Sequence, residues 1–267
     1  MLDININSKN NWKVKYFKMA KNNSLLKIEG TLDNLTFYKS ADGHLVRTKG
    51  GVSKNRIMND PAFARTRENG VEFGHSASSG KMLRDAIGVF VFRAKDSKLS
   101  SRLMKVMSDV KNQDLVSARG QRNVNEGLAS SEGQNLLKGF DFNNRAMLRS
   151  VLFAPLTIDI PSGKIVFDNF IPASHLRYPS GASHFSVQSA FLNMDFATGI
   201  SAVTFSDTQN YPIDTLTSSF DLEPDGVPIG SGTQIYFLLI EFFQEVNGVQ
   251  YLLNNGMYNV LNILEVI

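Results

Sequence analysis

Apolar and polar residues alternate over short stretches in the first part of the chain. Residues 25–48 carry brief apolar and β-branched runs, separated by turn signals at Asp33-Asn34 and at Ala41-Asp42-Gly43. This pattern predicts a three-stranded meander. Residues 1–19 are polar, rich in Asn and Lys and without a period, so a disordered tail is predicted there.

The period changes to that of helices after residue 59. Asp60-Pro61 combines an N-cap with a first-turn proline, and Asn69-Gly70 predicts the end of that helix. Two stripes then recur at helical spacing, and a weaker helix spans 121–138. The stripes are Met82, Leu83, Ala86, Ile87, Phe90 and Val91, and then Leu99, Leu103, Val106, Met107 and Val110.

Strand patterns follow residue 149. Residues 184–196 roughly alternate, and a slip of the apolar parity near Ala190-Phe191 suggests a β-bulge. Residues 234–246 are almost continuously apolar, which indicates a central, buried strand. Asn247-Gly248 predicts a type I′ hairpin turn, and Asn255-Gly256 predicts a further turn. Evenly spaced antiparallel strands of this kind are typical of a β-sandwich.

The predicted fold class is therefore α+β, with an N-terminal β-meander and a helical layer followed by a C-terminal antiparallel β-sandwich. Three segments are predicted: a tail at 1–19, a basic α+β region at 20–148 and an acidic β-sandwich domain at 149–267. The longest unbroken apolar run, Ile235 to Ile240, is too short to span a membrane.

Charge is divided between the two parts of the chain. Of the 28 Lys and Arg residues, 26 lie before Ser150, whereas 14 of the 25 Asp and Glu residues lie there. From Ser150 onward Lys164 and Arg177 are the two basic residues, against 11 acidic ones. A basic half of this kind suits nucleic acid, anionic lipid or an acidic protein surface.

The residues that usually carry chemistry form no familiar motif. The chain has no cysteine, and His44, His75, His175 and His184 stand in no metal-binding spacing. No phosphate loop and no nucleophile elbow occurs. Glu241 and Glu245 share one face of a strand, where we expect solvent. We therefore predict a protein that is not an enzyme, with no catalytic residue, cofactor or metal.

Six basic residues near a Gly-Gly loop and the following helix are the predicted partner-binding site. They are Arg47, Lys49, Lys54, Arg56, Arg65 and Arg67. Two functions remain open for them. One is docking to an acidic protein surface, and the alternative is nucleic-acid binding by the basic half.

Residues 27–84, the ARGQRNV segment at 118–124, Gly139-Phe140 and EFFQEVNGVQYLLNNGMYNVL at 241–261 carry a resemblance. They resemble a widespread family of uncharacterised Bacteroidota proteins and look similar to the Plug subunits of the type 9 secretion translocon. The resemblance implies a plug or accessory subunit at the periplasmic mouth of a large outer-membrane barrel. It implies no catalytic residue. The sequence itself shows no export signal near Met1, which predicts a cytoplasmic protein instead.

Overall fold

The computed structural model describes residues 20–23, 27–40 and 43–267. They form helices and antiparallel strands, which confirms the α+β class. Contacts divide the chain into two units, one ending at Phe63 and one covering Ala64–Ile267. The predicted tail at 1–19 and the predicted turn residues Ala41 and Asp42 lie outside the described residues.

The described residues of the first unit form a small antiparallel sheet, an α-helix and a short 3-10 helix at Pro61–Phe63. Its strands are β1 (Ala20–Lys21), β2 (Gly30–Leu32), β3 (Leu35–Ser40) and β4 (Gly43–Thr48), in the order β1-β4-β3-β2, and helix α1 covers Lys54–Asn59. Strands β2 to β4 are the predicted meander. The Asp33 turn between β2 and β3 has a positive φ of 48°, as expected for an Asp-Asn turn.

The second unit begins with most of the helices. They are α2 (Ala64–Ala86), α3 (Gly88–Arg93), α4 (Leu99–Lys111), α5 (Val124–Leu128), α6 (Ser131–Leu137), α7 (Leu148–Val151) and α8 (Pro172–His175). Helix α2 continues through Gly70, so the predicted end at Asn69-Gly70 is wrong. A glycine inside a helix costs only about 1 kcal/mol, and burial of α2 residues beyond it, among them Ser76 and Leu83, outweighs that cost.

Both predicted apolar stripes face the interior. Leu83, Ile87 and Phe90 are fully buried, as are Leu103, Met107 and Val110 on α4. The weak helix at 121–138 is two short helices, α5 and α6. Gly127 lets α5 approach α4 closely, because a Cβ at this position would lie 2.2 Å from the backbone oxygen of Val110.

Two antiparallel sheets complete the second unit. The strands are β5 (Thr157–Asp159), β6 (Lys164–Phe170), β7 (His184–Met194), β8 (Ser201–Phe205), β9 (Gln209–Pro212), β10 (Ser218–Leu222), β11 (Thr233–Val246), β12 (Val249–Leu252) and β13 (Val260–Val266). Strands β10, β6 and β5 form the small sheet, and the other six form the large one. As predicted, β11 is central, with β7 on one side and β12 and β13 on the other.

The large sheet is buried on both faces. Odd-numbered residues of β11, such as Phe237 and Leu239, pack with the helices, and even-numbered ones, such as Leu238 and Ile240, pack with the small sheet. The same holds for β7, so its apolar residues need not alternate. Its pairing with β11 runs without a register shift from His184 to Met194, and the predicted bulge at Ala190-Phe191 is wrong.

The small sheet on one face of the large sheet is sandwich-like, and the helices add a further layer. The helices of 64–137 share one core with β7, β11 and β13. The predicted boundary between residues 148 and 149 therefore falls inside the second unit. The contact division lies at Phe63 and Ala64 instead.

Two turns near the C-terminus have the backbone that their sequences predict. Asn247 and Gly248 both have positive φ, 52° and 78°, as a type I′ turn requires. Asn254, Asn255 and Gly256 also have positive φ values, between 45° and 78°. These turns fix the register of β12 on β11 and lead the chain into β13.

Candidate functional site

The six basic residues predicted to bind a partner are divided between the two units. Arg47, Lys49, Lys54 and Arg56 belong to the first unit, and Arg65 and Arg67 lie on α2 of the second. The guanidinium carbon of Arg47 lies 5.4 Å from the centre of the Tyr38 ring. Arg56 pairs with Asp60 at 3.2 Å. The predicted set therefore does not form the surface of a single unit.

The ARGQRNV segment forms a loop that hydrogen bonds to Glu72 hold against α2. The carboxylate of Glu72, which is 3% exposed, accepts hydrogen bonds from the Arg122 Nε at 3.0 Å, the Lys111 Nζ at 2.6 Å and the Gly120 backbone N–H at 2.8 Å. These donors, with the Arg122 guanidinium foremost, lower the pKa of Glu72 to about 2, against the opposing effect of burial. The segment thus stabilises the fold.

A second buried ion pair joins α3 to the large sheet. Arg93 donates to both carboxylate oxygens of Glu241, and Asn259 and Ser186 also donate to this carboxylate at 3.1 and 3.2 Å. Glu241 is 3% exposed, so the expectation that it faces solvent is wrong. It lies on the helix-facing side of β11, where Arg93 supplies the compensating charge.

Two of the histidines, His175 and His184, take part in polar contacts close to their own positions. The Nδ1 of His175 accepts from the backbone N–H of Ile171 at 3.1 Å, and the Nε2 of His184 lies 3.5 Å from Glu245. In the described ranges, no three His, Asp or Glu side chains converge as metal ligands would. Nor does any helix of these ranges combine the length and apolar character needed to cross a membrane.

A cavity of about 340 Å³ in the second unit combines arginine and tyrosine side chains. Its polar lining comes from Arg145, Arg177, Tyr178, Tyr258 and Ser150. The remaining lining residues are Ala146, Val151, Pro179 and Phe242. We name it the arginine cavity. Its lining offers hydrogen-bond donors and positive charge, which is the chemistry that holds an anion.

Four separate segments build this cavity, at residues 145–151, at residues 177–179, at Phe242 and at Tyr258. The buried side chain of Asn143 donates to the backbone oxygens of Met257 at 2.9 Å and Asn259 at 2.8 Å, which brings the turn that carries Arg145 beside Tyr258. The Arg177 backbone N–H donates to the oxygen of Val151 at 2.8 Å.

Phe242, from the central strand, lines the cavity and belongs to the core between the two sheets. The side chains that could meet an anion are therefore held on backbone that is itself hydrogen-bonded.

The two arginines of the cavity differ from the basic residues described above. In the described part of the chain, no carboxylate forms an ion pair with Arg145 or Arg177, and both residues are exposed. Lys164, the other basic residue after Ser150, pairs with Asp221 and Glu223. Within the ranges that the structure describes, Arg177 is thus a cation without an acidic partner in the most acidic part of the chain, and Arg145 lines the same cavity.

Sequence reasoning missed this cavity because its residues are far apart in the chain. Arg145, Arg177 and Tyr258 lie on segments that only the folded sheet brings together. One signal was present: after Ser150 the chain keeps just two basic residues, Lys164 and Arg177. A basic residue retained among so many acidic ones invites the question of what it contacts.

Comparisons with protein-family models, with curated proteins and with solved structures found no match to this chain. The chain's own residues and their geometry are therefore the basis for a functional proposal.

Proposed function

We propose that this protein is a non-enzymatic protein-interaction module that holds a carboxylate of a partner protein in the arginine cavity. One observation carries the proposal. Arg145 and Arg177 line the same cavity, and neither has an acidic partner among the described residues.

The lining suits a carboxylate in particular. A guanidinium can donate two parallel hydrogen bonds to the two oxygens of a carboxylate. The hydroxyls of Tyr178, Tyr258 and Ser150 add donors to the same space. Phe242 and Val151 supply apolar walls, and a hydrogen bond to a charged group is stronger where nearby water is reduced.

Nucleic-acid binding remains the alternative, and the charge around the cavity argues against it. A phosphate chain carries many negative charges, whereas residues 150–267 carry 11 acidic and two basic ones. The net negative charge of these residues would repel a polyanion held at Arg177. A single carboxylate on a protein segment would meet only the cavity.

The resemblance to Plug subunits of the type 9 secretion translocon suggests a setting for such a module. We propose that the protein docks at the periplasmic mouth of an outer-membrane translocon as a plug or accessory subunit, using a carboxylate of the barrel protein as one anchor. Affinity purification from native membranes tests this setting. Recovery of the protein with cytoplasmic partners alone would rule it out.

The binding proposal itself is tested with a labelled acidic peptide containing two glutamates, by fluorescence anisotropy with the full chain. Arg177→Gln should raise the Kd at least about 10-fold, because it removes a charged hydrogen-bond donor. Arg149→Gln is the matched control. This arginine is also exposed but lines a different cavity, and its removal should change the Kd less than about 2-fold.

Equal affinity of the Arg177→Gln variant and the parent would refute the proposal. A single-stranded oligonucleotide provides the second arm of the experiment. If it binds more tightly than the peptide, and with the same affinity to the Arg177→Gln variant, the nucleic-acid function holds instead.

A further inference from the structure

Strand β12 forms part of the edge of the large sheet. It pairs with β11 from Val246↔Val249 to Phe243↔Leu252, on the same side of β11 as β13. Residues 139–142 cover the outer edge of β13, with the Phe142 N–H donating to Leu261 at 2.8 Å. Among the described residues, no such segment covers the outer edge of β12.

The side chains of β12 include no lysine or proline, and one of them, Gln250, exchanges hydrogen bonds of 2.9 and 3.1 Å with Asn210 of β9. The four residues of β12 are Val249, Gln250, Tyr251 and Leu252, and all are exposed, with Tyr251 at 58% and Val249 at 50%. Natural proteins usually block such edges with lysine, proline, a bulge or a covering segment. The pairing of β12 with β11 has no register shift. Strand β12 is therefore a regular, largely apolar strand, and among the described residues no other strand pairs with its outer side.

The open edge begins where the arginine cavity lies. Phe242 lines the cavity, and its neighbour Phe243 is paired with Leu252 at the end of β12. One end of β12 is therefore one residue along the sheet and one strand across it from Phe242, roughly 3.3 Å and 4.8 Å respectively. The segment that covers β13 leaves the sheet after Phe142 and turns, and Arg145 lies in that turn.

One face of the β11–β12 hairpin lies on the same side of the sheet as Phe242 of the cavity. Directly paired residues of antiparallel strands lie on one face, so Tyr251 shares a face with Gln244, and Val249 with Val246. This face is also that of Phe242, two residues before Gln244 along β11.

The amide of Gln244 lies 3.7 Å from the place of a Cβ at Gly181, two residues beyond Pro179 of the cavity wall. Through Gln244 and Gly181, the hairpin face thus lies next to the loop that carries Pro179 of the cavity wall.

We propose that β12 accepts an extended segment of a partner protein as an added strand, and that an acidic residue at one end of this segment enters the arginine cavity. The backbone of the segment pairs with the outer edge of β12. Its apolar side chains cover Tyr251 and Val249, and its carboxylate meets Arg145 and Arg177. The acidic anchor rests on the proposed function, whereas strand addition is a separate claim with its own test.

The charges and exposed groups of the arginine cavity and of β12 indicate which kind of partner binds. The cavity supplies positive charge at one end of the edge, and the edge itself supplies backbone donors and acceptors beside apolar side chains. A peptide strand with one acidic end matches all three features. Nucleic acid lacks the amide groups that pair with a strand, and an uncharged strand leaves the arginines without a partner.

The experiment uses the full chain and short capped peptides, each with one glutamate and four alternating valine and threonine residues. Two versions carry the glutamate at the first or the last position, because either strand direction would be allowed. A third peptide replaces the glutamate by glutamine. Two more carry N-methyl groups on alternate amides, one on the odd and one on the even positions. Affinity is measured by NMR titration, and hydrogen exchange is followed at the amides of β12.

Strand addition predicts that one glutamate peptide binds and slows exchange of outward-facing amides between Val249 and Leu252. In a strand, alternate amides face the same neighbour. One N-methylated peptide should therefore bind about 10-fold or more weakly, and the other should bind within about 2-fold of the parent. Val249→Lys, which adds a charge typical of protected edges, should weaken binding without changing the fold.

The failures of the two proposals are distinguishable. If glutamate matters but neither N-methylated peptide is weakened, strand addition is wrong and the cavity proposal stands. If the glutamine peptide binds as well as the glutamate peptide, the cavity proposal is wrong. If the protein pairs its β12 edges with each other, concentration-dependent dimers that the Val249→Lys variant abolishes will show that a second copy is the occupant, which overturns the proposed partner.

Discussion

Replacing Glu72 with Gln tests how the ARGQRNV segment is held on α2. The substitution keeps the size of the side chain and removes the charge that Lys111 and Arg122 share. Lys111 is 6% exposed and donates to Glu72 at 2.6 Å. Without the carboxylate, the lysine ammonium stays buried beside a neutral amide, which compensates little of its desolvation.

The expected loss follows from the burial of the two cations. Removing one partner of a buried ion pair costs about 3–5 kcal/mol in free energy of unfolding. The Arg122 side chain is 30% exposed and reaches water, which places the expected loss near the lower end, about 3 kcal/mol. In a folded unit of this size, 1 kcal/mol lowers Tm by about 2–4 °C. We therefore expect a decrease of about 6–12 °C.

The pH dependence gives this prediction a second, independent readout. Because its partners lower the pKa of Glu72 from 4.5 to about 2, the carboxylate stabilises the folded state fully above pH 4.5. This contribution is lost as the pH falls from about 4.5 toward 2. The difference in Tm between the parent and Glu72→Gln should therefore narrow over that range, since only the parent has this carboxylate to protonate.

Asp85→Asn is the matched control on the same helix. Asp85 pairs with Lys81 at 2.6 Å, but the two side chains are 61% and 70% exposed, so the loss should stay below about 0.5 kcal/mol. Both variants are measured by thermal and urea unfolding, followed by circular dichroism. The reasoning is refuted if Glu72→Gln costs no more than Asp85→Asn, or if its Tm difference is constant between pH 5 and about pH 3.

Two further predictions concern a glycine and a tyrosine. Gly256→Ala should lower the free energy of unfolding in urea by at least about 1 kcal/mol more than Gly139→Ala does. The two glycines have φ values of 78° and 77°, but only a Cβ at Gly256 would lie 2.8 Å from the backbone oxygen of Arg93. Equal losses in the two variants would contradict this prediction. Burial raises the pKa of Tyr236 to about 12, and its hydroxyl donates to the Ile160 oxygen at 2.6 Å. Tyr236→Phe should lower the free energy of unfolding by about 1 kcal/mol at pH 7 because it removes this hydrogen bond. Since a phenol with a raised pKa costs stability as the pH rises above 10, the free energy of unfolding of the variant should also fall less steeply above pH 10. If it falls as steeply as that of the parent, the effect of burial on Tyr236 is refuted.

Sequence patterns correctly predicted those elements that depend on residues close together in the chain. The Asn247-Gly248 turn depends on backbone conformations that Asn and Gly adopt readily, and it forms as expected. The stripe on α4 depends only on the helical period, and Leu103, Met107 and Val110 are buried. Where packing overrides a local preference, prediction fails: α2 passes through Gly70 because its inward face is buried beyond that point.

The candidate site likewise has one feature that the sequence displays and several contacts that only the folded structure shows. The sequence displays the scarcity of basic residues after Ser150, and so the isolation of Arg177. It does not show that Asn143 holds the Arg145 turn against the backbone before β13, or that Phe242 lines the same cavity as both arginines. These contacts join residues that are far apart in the chain, and no period or spacing encodes them.

By itself, the sequence determined the order of meander, helices and strands, the hairpin turns and the central place of β11. These follow from side-chain periods and backbone preferences within a few residues. Only the tertiary structure decided that Glu241 is buried beside Arg93, while Arg145 and Arg177 line one cavity and have no acidic partner among the described residues. Whether a charge is paired depends on which distant segment packs against it, because electrostatic energy is set by distance and burial in the folded chain.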